Sequence, residues 1–190
     1  IRLRENDLHI NLDKSQFFQE KISYLGHTIS SKGIHKSADK IKAILDAPRP
    51  KNVEELKQFL GLVTYYAKFL PDRATMLDPL YQLLKKGKSY KWDTKCQKAY
   101  NTIKTEIVSD RVLVPFNPKL PLVLATDASP VGLSGVLSHQ LPNGDERPIA
   151  FISRSLTNTE RKYSQLDREA TAIYWACKKL YDYLNGRKFV

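Results

Sequence analysis

The 190-residue chain has little of what marks a specialised class of protein. It contains only two cysteines, Cys96 and Cys177, which have neither metal-ligand spacing nor the density of a disulfide framework. Both fall in amphipathic helical patterns, so reduced packing residues in an intracellular protein are expected. No apolar run approaches the roughly 20 residues of a membrane span, and no signal-peptide pattern opens the chain. Internal repeats and low-complexity tracts are absent as well.

Acidic charge is also short: 31 Lys/Arg stand against 20 Asp/Glu, a formal net charge of +11. The excess is uneven. Residues 1–120 carry 22 basic and 13 acidic side chains, whereas residues 121–190 carry 9 and 7. A basic surface attracts polyanions such as nucleic acid or anionic lipid, although a solvated Lys-rich surface without a partner gives the same count. The chain starts "IRLREND" without Met and stops at "GRKFV", so both ends are expected to be cut from something longer.

What is present reads as two textures. "LHINLDKSQFF" and "KISYLGHTIS" resemble two strands joined around Gln19 and Glu20, with a turn following at Gly33. "SADKIKAILDA" reads as a helix capped by Ser37 and stopped by Pro48. "NVEELKQFLGLVTYYAKFLP" is a second helix, with Asn52 and Glu55 at capping-box spacing. Its Leu56, Phe59, Leu60, Val63, Tyr66 and Leu70 form one stripe. A looser helical segment, "MLDPLYQLLKK", precedes a clear helix, "DTKCQKAYNTIKTEIVSD", capped by Asp93. Beyond the Pro-bounded "FNPKLP" come three strands, "LVLATD", "GLSGVLSH" and "RPIAFISRS", the last two joined across Asn143-Gly144, a strong hairpin signal. A long helix, "NTERKYSQLDREATAIYWACKKLYDYL", closes the chain. The expected fold class is mixed α/β, with an incomplete three-stranded sheet covered by that helix.

The chemistry-bearing candidates are two carboxylates. In "LVLATD", Val123, Ala125 and Asp127 share one face of a strand, and small Gly132, Ser134 and Gly135 leave room beside it. On the last helix, Leu166, Ala170, Ile173, Cys177, Leu180 and Leu184 form an apolar stripe, and Glu169 lies roughly 60° from its centre. If the helix covers the face bearing Asp127, both carboxylates converge on a space suited to Mg²⁺, a hard cation that takes oxygen ligands. That arrangement serves metal-assisted phosphodiester hydrolysis. Other readings stay open at this point: Asp127 as an Asx-type cap before Ser129-Pro130, and Glu169 paired with Arg168 or Lys162.

At these residues a family resemblance becomes specific. "TDASPVGLSGVLS", "ERPIAFISRSL", "ERKYSQLDREATAIYWA" and "YLNGRKF" resemble the opening half of the RNase H domain in gypsy-class LTR retrotransposon Pol polyproteins. "KSQFFQEKISYLGHTISSKGI" resembles the end of that family's reverse-transcriptase palm, and "PKNVEELKQFLGLVTYYAKFLP" its thumb. The resemblance implies a palm end over 1–33, a helical thumb over 34–110 and part of an RNase H domain over 111–190. It implies that Asp127 and Glu169 are catalytic metal ligands in a two-Mg²⁺ site that cleaves the RNA strand of RNA–DNA hybrids. Tyr24, Leu25, Gly26 and His27 would form a primer-grip hairpin, and Lys57, Tyr65 and Lys68 would contact the template–primer backbone.

The resemblance also implies partners: RNA–DNA hybrid, template–primer duplex, and the rest of a Pol polyprotein, with an upstream palm and downstream RNase H and integrase parts. A cytoplasmic particle or the nucleus, with no membrane, is the implied location. The "YxDD"-type polymerase motif is not in this sequence, and further nuclease carboxylates, including a "TDH"-like motif, would lie beyond Val190. The chain alone is therefore expected to be inactive as polymerase and nuclease. A rival from another class is a non-catalytic nucleic-acid-binding protein derived from a retroelement; an integrase-like member of the broad fold would need different acid spacing and no thumb-like block. The basic first 120 residues predict affinity for duplex or hybrid that falls steeply with salt, which a filter-binding series from ~50 to ~200 mM salt would measure. Absence of binding at the low-salt end would remove the case for the chain acting alone.

Overall fold

A computed structural model describes residues 2–85 and 87–190; Lys86, the last residue of "MLDPLYQLLKK", lies outside them. The first sheet is antiparallel, with β1 (Lys21–Tyr24), β2 (His27–Ser30) and β3 (Gly33–Lys36) in sequence order. "KISYLGHTIS" is therefore a hairpin and not a single strand. Leu25 and Gly26 both take left-handed φ angles, 44° and 67°, which suits the twist of a two-residue hairpin turn. No strand forms over Leu8–Phe18, which carries one 3-10 turn at Leu12–Lys14. Its apolar residues Leu8, Ile10, Leu12 and Phe17 are exposed, and an alternating pattern makes a strand only where a neighbour pairs and covers it. Strand β3 straddles the division expected after Gly33.

Four helices follow: α1 (Ala38–Asp46), α2 (Val53–Tyr65), α3 (Arg73–Gln82) and α4 (Thr94–Val108). The side chains of Asn52 and Asp93 accept from the N–H groups of Glu55 and Cys96, satisfying donors that the first helical turn leaves free. Ser37 precedes α1 but makes no side-chain cap. Its N–H instead donates to the Tyr66 hydroxyl at 3.0 Å. The expected stripe of α2 is buried in full, and Leu77, Leu80, Ile103 and Ile107 complete one core with it. Cys96 is buried in that core as a free thiol.

The second sheet, β4 (Leu122–Ala128), β5 (Gly132–Gln140) and β6 (Glu146–Ser155), is antiparallel in that order. The Asn143-Gly144 turn joins β5 to β6, with Gly144 at φ 86°. Long helix α5 (Gln165–Lys179) and short α6 (Tyr181–Leu184) pack on one face, where Ala172 meets Ala128, Leu133 and Leu156. The buried stripe of α5 differs from the expected one. Ala172 and Ala176 are fully buried, whereas Leu166 and Ile173 are 79% and 55% exposed. Small alanines let the helix backbone approach the sheet, which outweighs the larger transfer gain of the branched side chains.

The helical block and the second sheet are continuous. Leu113 exchanges two backbone hydrogen bonds with Ile34 of β3, at 2.7 and 3.0 Å, while the Val114 N–H donates to Pro148 of β6. Helix α3 lies on the face of the second sheet opposite α5, where the Ala74 N–H donates to the Ser153 hydroxyl at 2.9 Å. Past α6 the chain returns to β4: Val190 bonds Leu122 and Leu124, a parallel contact on the strand's outer edge.

An ion pair fixes the connection from β6 to α5. Arg154 donates two 2.7 Å hydrogen bonds to Glu160, which also accepts from the Thr157 N–H. The Arg154 hydrogen bonds hold the Glu160 carboxyl at about 2, against the opposing effect of burial. A carboxyl depressed on folding stabilises the fold above its unfolded value of ~4.3 and loses that contribution as pH falls toward about 2. Glu160→Gln should lower stability at pH 7 by ~1–2 kcal/mol and flatten the decline between pH ~4.5 and ~2, measured by urea unfolding.

Candidate metal centre and nucleic-acid face

Asp127 is the penultimate residue of β4, exposed, and paired in register with Ser134 of β5, which in turn pairs with Ser153 of β6. These three residues point to the α3 side of the sheet, because alternate residues of a strand share a face. A cavity of about 190 Å³ lies there, between Pro71 and Asp72 on one side and Asp127, Ser134, Val136 and Phe151 on the other. Helix α5 covers the other face, carried by Leu122, Leu124 and Ala128. The helix thus does not cover the face bearing Asp127. The leucines of β4 and its buried Ala128 occupy even-numbered positions, and burial of Leu122, Leu124 and Ala128 selects the face α5 takes.

Glu169 still reaches the same end of the sheet. It is half-buried on α5, in line with Ala172 and Ala176 and not on the flank of the buried stripe. The Gln165 side-chain amide donates to Glu169 at 2.6 Å and to the Ala128 carbonyl at 3.0 Å. One amide therefore links Glu169 to the residue that follows Asp127. The two carboxylates flank the C-terminal end of β4 from opposite faces, beside its outer edge. Among the described residues, no group of three or more His, Cys, Asp or Glu is close enough to hold a metal ion.

The second cluster of expected site residues forms around the β1–β2 turn. Tyr65, in the last turn of α2, donates its hydroxyl to the Leu25 carbonyl. Tyr66 donates to the Gly26 carbonyl at 2.9 Å while accepting from Ser37. His27 lies among Tyr65, Tyr66 and Phe69, with ring centroids 5.3, 5.6 and 5.7 Å away. Burial and then the nearby Lys68 ammonium lower the His27 pKa, so its ring is neutral near pH 7. The structure thus brings Tyr24, Leu25, Gly26, His27, Tyr65 and Lys68 together. Lys57 stands apart, exposed and more than two turns back along α2 from Tyr65.

Tyr65 is less free than expected, because its hydroxyl is engaged by the turn and its ring lies under the Lys40 ammonium at 4.1 Å. Lys40 itself was missed from sequence. It belongs to α1, and nothing in the linear pattern separates it from Lys42 beside it.

With this geometry in place, comparison with known proteins is decisive. Residues 92–190 match the RNase H-like domain found in reverse transcriptase. The chain belongs to that family. It is 37% identical over 196 residues to the Pol polyprotein of transposon opus from Drosophila melanogaster, which covers 97% of this chain and 19% of the relative. It is 38% identical over 192 residues to that of transposon 297 from the same organism, over 100% and 18%. The Tf2-3 polyprotein of Schizosaccharomyces pombe is 35% identical over 97% of this chain and 14% of its own length.

Among solved structures, the foamy viral protease–reverse transcriptase in complex with RNA/DNA hybrid superposes with TM-score 0.77 at 26% identity, over 94% of this chain and 24% of that one. The foamy viral protease–reverse transcriptase dRH in complex with ds DNA gives 0.82 at 26% identity, over 98% and 33%. The chain spans less than a fifth of the transposon polyproteins it matches. RNase H-like domain, mixed α/β fold and kinship with transposon Pol polyproteins thus stand together.

The turn offers a direct test of its tether. A Cβ at Gly26 would meet the Tyr65 hydroxyl and the Lys40 side chain, at a φ that already disfavours L side chains. Gly26→Ala should cost ~1–2 kcal/mol in urea unfolding. An unchanged midpoint would mean that α2 does not hold the turn.

Proposed function

We propose that the chain is the end of the palm, the thumb and the opening half of the RNase H domain of a gypsy-class retroelement reverse transcriptase. It works within a longer Pol polyprotein, in an intracellular particle. The parent copies RNA into DNA and hydrolyses the RNA strand of RNA–DNA hybrids. The observation that carries this reading is the link Asp127–Ala128–Gln165–Glu169, which sets two carboxylates at one solvent-open strand end.

The donor set suits Mg²⁺, because both groups are hard oxygen ligands at a polar edge, and it is short of a full set. When bound, Mg²⁺ would activate the attacking water and stabilise the leaving 3′-oxygen. Asp127 and Glu169 would hold the metal, with Gln165 fixing the orientation of Glu169. The parallel contact of Phe189 with Leu122 lies on the same outer edge of β4. The resemblance implies further carboxylates to complete the site.

The β1–β2 turn with Lys40, Tyr65 and Lys68 forms a basic, aromatic surface that suits the phosphate backbone of a duplex. The foamy viral enzymes solved with hybrid and with double-stranded DNA support that assignment. The second reading, a non-catalytic nucleic-acid-binding protein, draws on the same surface, with no cluster of three metal-ligating side chains among the described residues.

A hybrid-cleavage assay separates the two. The chain alone should not cut an RNA–DNA hybrid in Mg²⁺; the chain extended through the rest of its RNase H domain should cut it, and Asp127→Asn or Glu169→Gln should reduce cutting to background. An inactive extended domain would favour the binding-protein reading. Cleavage by the chain alone, abolished by Asp127→Asn, would overturn the expected inactivity.

A further inference from the structure

Helix α3 touches both segments that carry the candidate metal ligands, although it belongs to the helical block. Its Thr75 hydroxyl lies 2.8 Å from the Ser129 hydroxyl, two residues after Asp127. Ser129 already accepts from the Val131 and Gly132 N–H groups, at 3.2 and 2.9 Å, and bonds the Gly132 carbonyl at 3.1 Å. Either hydroxyl can be the donor in this pair, and in both cases the bond ties α3 to the turn that ends β4.

One turn further along α3, Asp78 accepts from Arg161 at 3.1 Å and from Gln82 at 2.9 Å. Arg161 sits in the short 3-10 turn Glu160–Lys162, just ahead of α5 and Glu169. The Asp78–Arg161 pair is largely shielded, with side chains 18% and 29% exposed. Ala74 and Thr75 also pack directly on Gly132, where a Cβ would come within 3.2 Å of each.

We propose that α3 is a splint for the candidate metal centre: Thr75 and Asp78 are positioning residues that set the Asp127 segment against the Glu169 segment. This rests on the nuclease reading proposed above, and it adds residues from the helical block to the determinants of that site. A thumb that grips the nuclease segments this way ties the geometry of the metal site to the body that holds the duplex.

The test uses the full chain, with amide hydrogen exchange and Mn²⁺-induced paramagnetic broadening read by NMR. Thr75→Val, which keeps the side-chain shape without its hydroxyl, should speed exchange over residues 127–132 by about five- to tenfold; Thr75→Ser should restore it. Asp78→Ala should do the same over residues 160–169. Each loosened variant should need several-fold more Mn²⁺ than the unmodified chain to broaden the amides of Asp127 and Glu169 equally.

Unchanged exchange in both variants would overturn the splint whatever Mn²⁺ does. Faster exchange with an unchanged Mn²⁺ requirement would reduce the contacts to plain structural ties and overturn the positioning role. The nuclease reading has its own control: broadening in the unmodified chain that Asp127→Asn removes. If the unmodified chain shows no broadening, its two carboxylates do not hold the metal by themselves, the positioning role toward it is overturned, and the exchange data decide only whether α3 fixes the two segments.

Discussion

The pleat of β4 is the constraint on which the arrangement depends. Leu122, Leu124 and Ala128 point to one face and Ala125 and Asp127 to the other, because successive side chains of a strand alternate. Burial of the first set draws α5 and α6 onto that face. The second face is left to α3, to the cavity beside Asp72, and to Phe151, which packs into the helical core. The sheet is covered on both faces and Val190 bonds the first part of β4's outer edge, so groups from either side can meet at the C-terminal end of that strand.

The tyrosine pair at the end of α2 does similar work for the first sheet. Tyr66 is fully buried, and its hydroxyl joins the β1–β2 turn to the start of α1. A buried hydroxyl that both donates and accepts avoids the cost of an unpaired polar group, and it fixes three elements at once. The exposed residues Tyr24 and Leu25 are held at the tip of a rigid hairpin and not on a loose loop. A protein surface that meets a phosphate backbone gains from such preorganisation, since little ordering remains to be done on binding.

Local signals in the sequence read well where the structure is locally determined. The caps at Asn52 and Asp93, the stripe of α2, the Asn143-Gly144 hairpin and the three strands of the second sheet all follow from short-range patterns. The failures are just as specific. Leu8–Phe18 alternates like a strand, yet among the described residues no strand lies beside it. Leu25-Gly26 is not a usual hairpin pair, so the local pattern of "KISYLGHTIS" reads as one strand and only the family resemblance implies the hairpin that the left-handed angles of its turn make. Of the expected last-helix stripe, Leu180 and Leu184 are buried on the sheet, whereas Leu166 and Ile173 are exposed and Ala172 and Ala176 take the contact instead.

By itself the sequence determined the mixed α/β fold class and the order of elements from α1 onward, and it nominated Asp127 and Glu169 as candidates, because caps, stripes and residue types carry these. Only the tertiary structure decided that α5 lies on the face away from Asp127, that Gln165 links Glu169 back to β4, and that Lys40, Thr75 and Asp78 stand beside the two candidate sites. The reason is range. A cap or a stripe is settled within a few residues, but which face a helix takes depends on how closely two backbones can approach, and that is fixed only when both are packed.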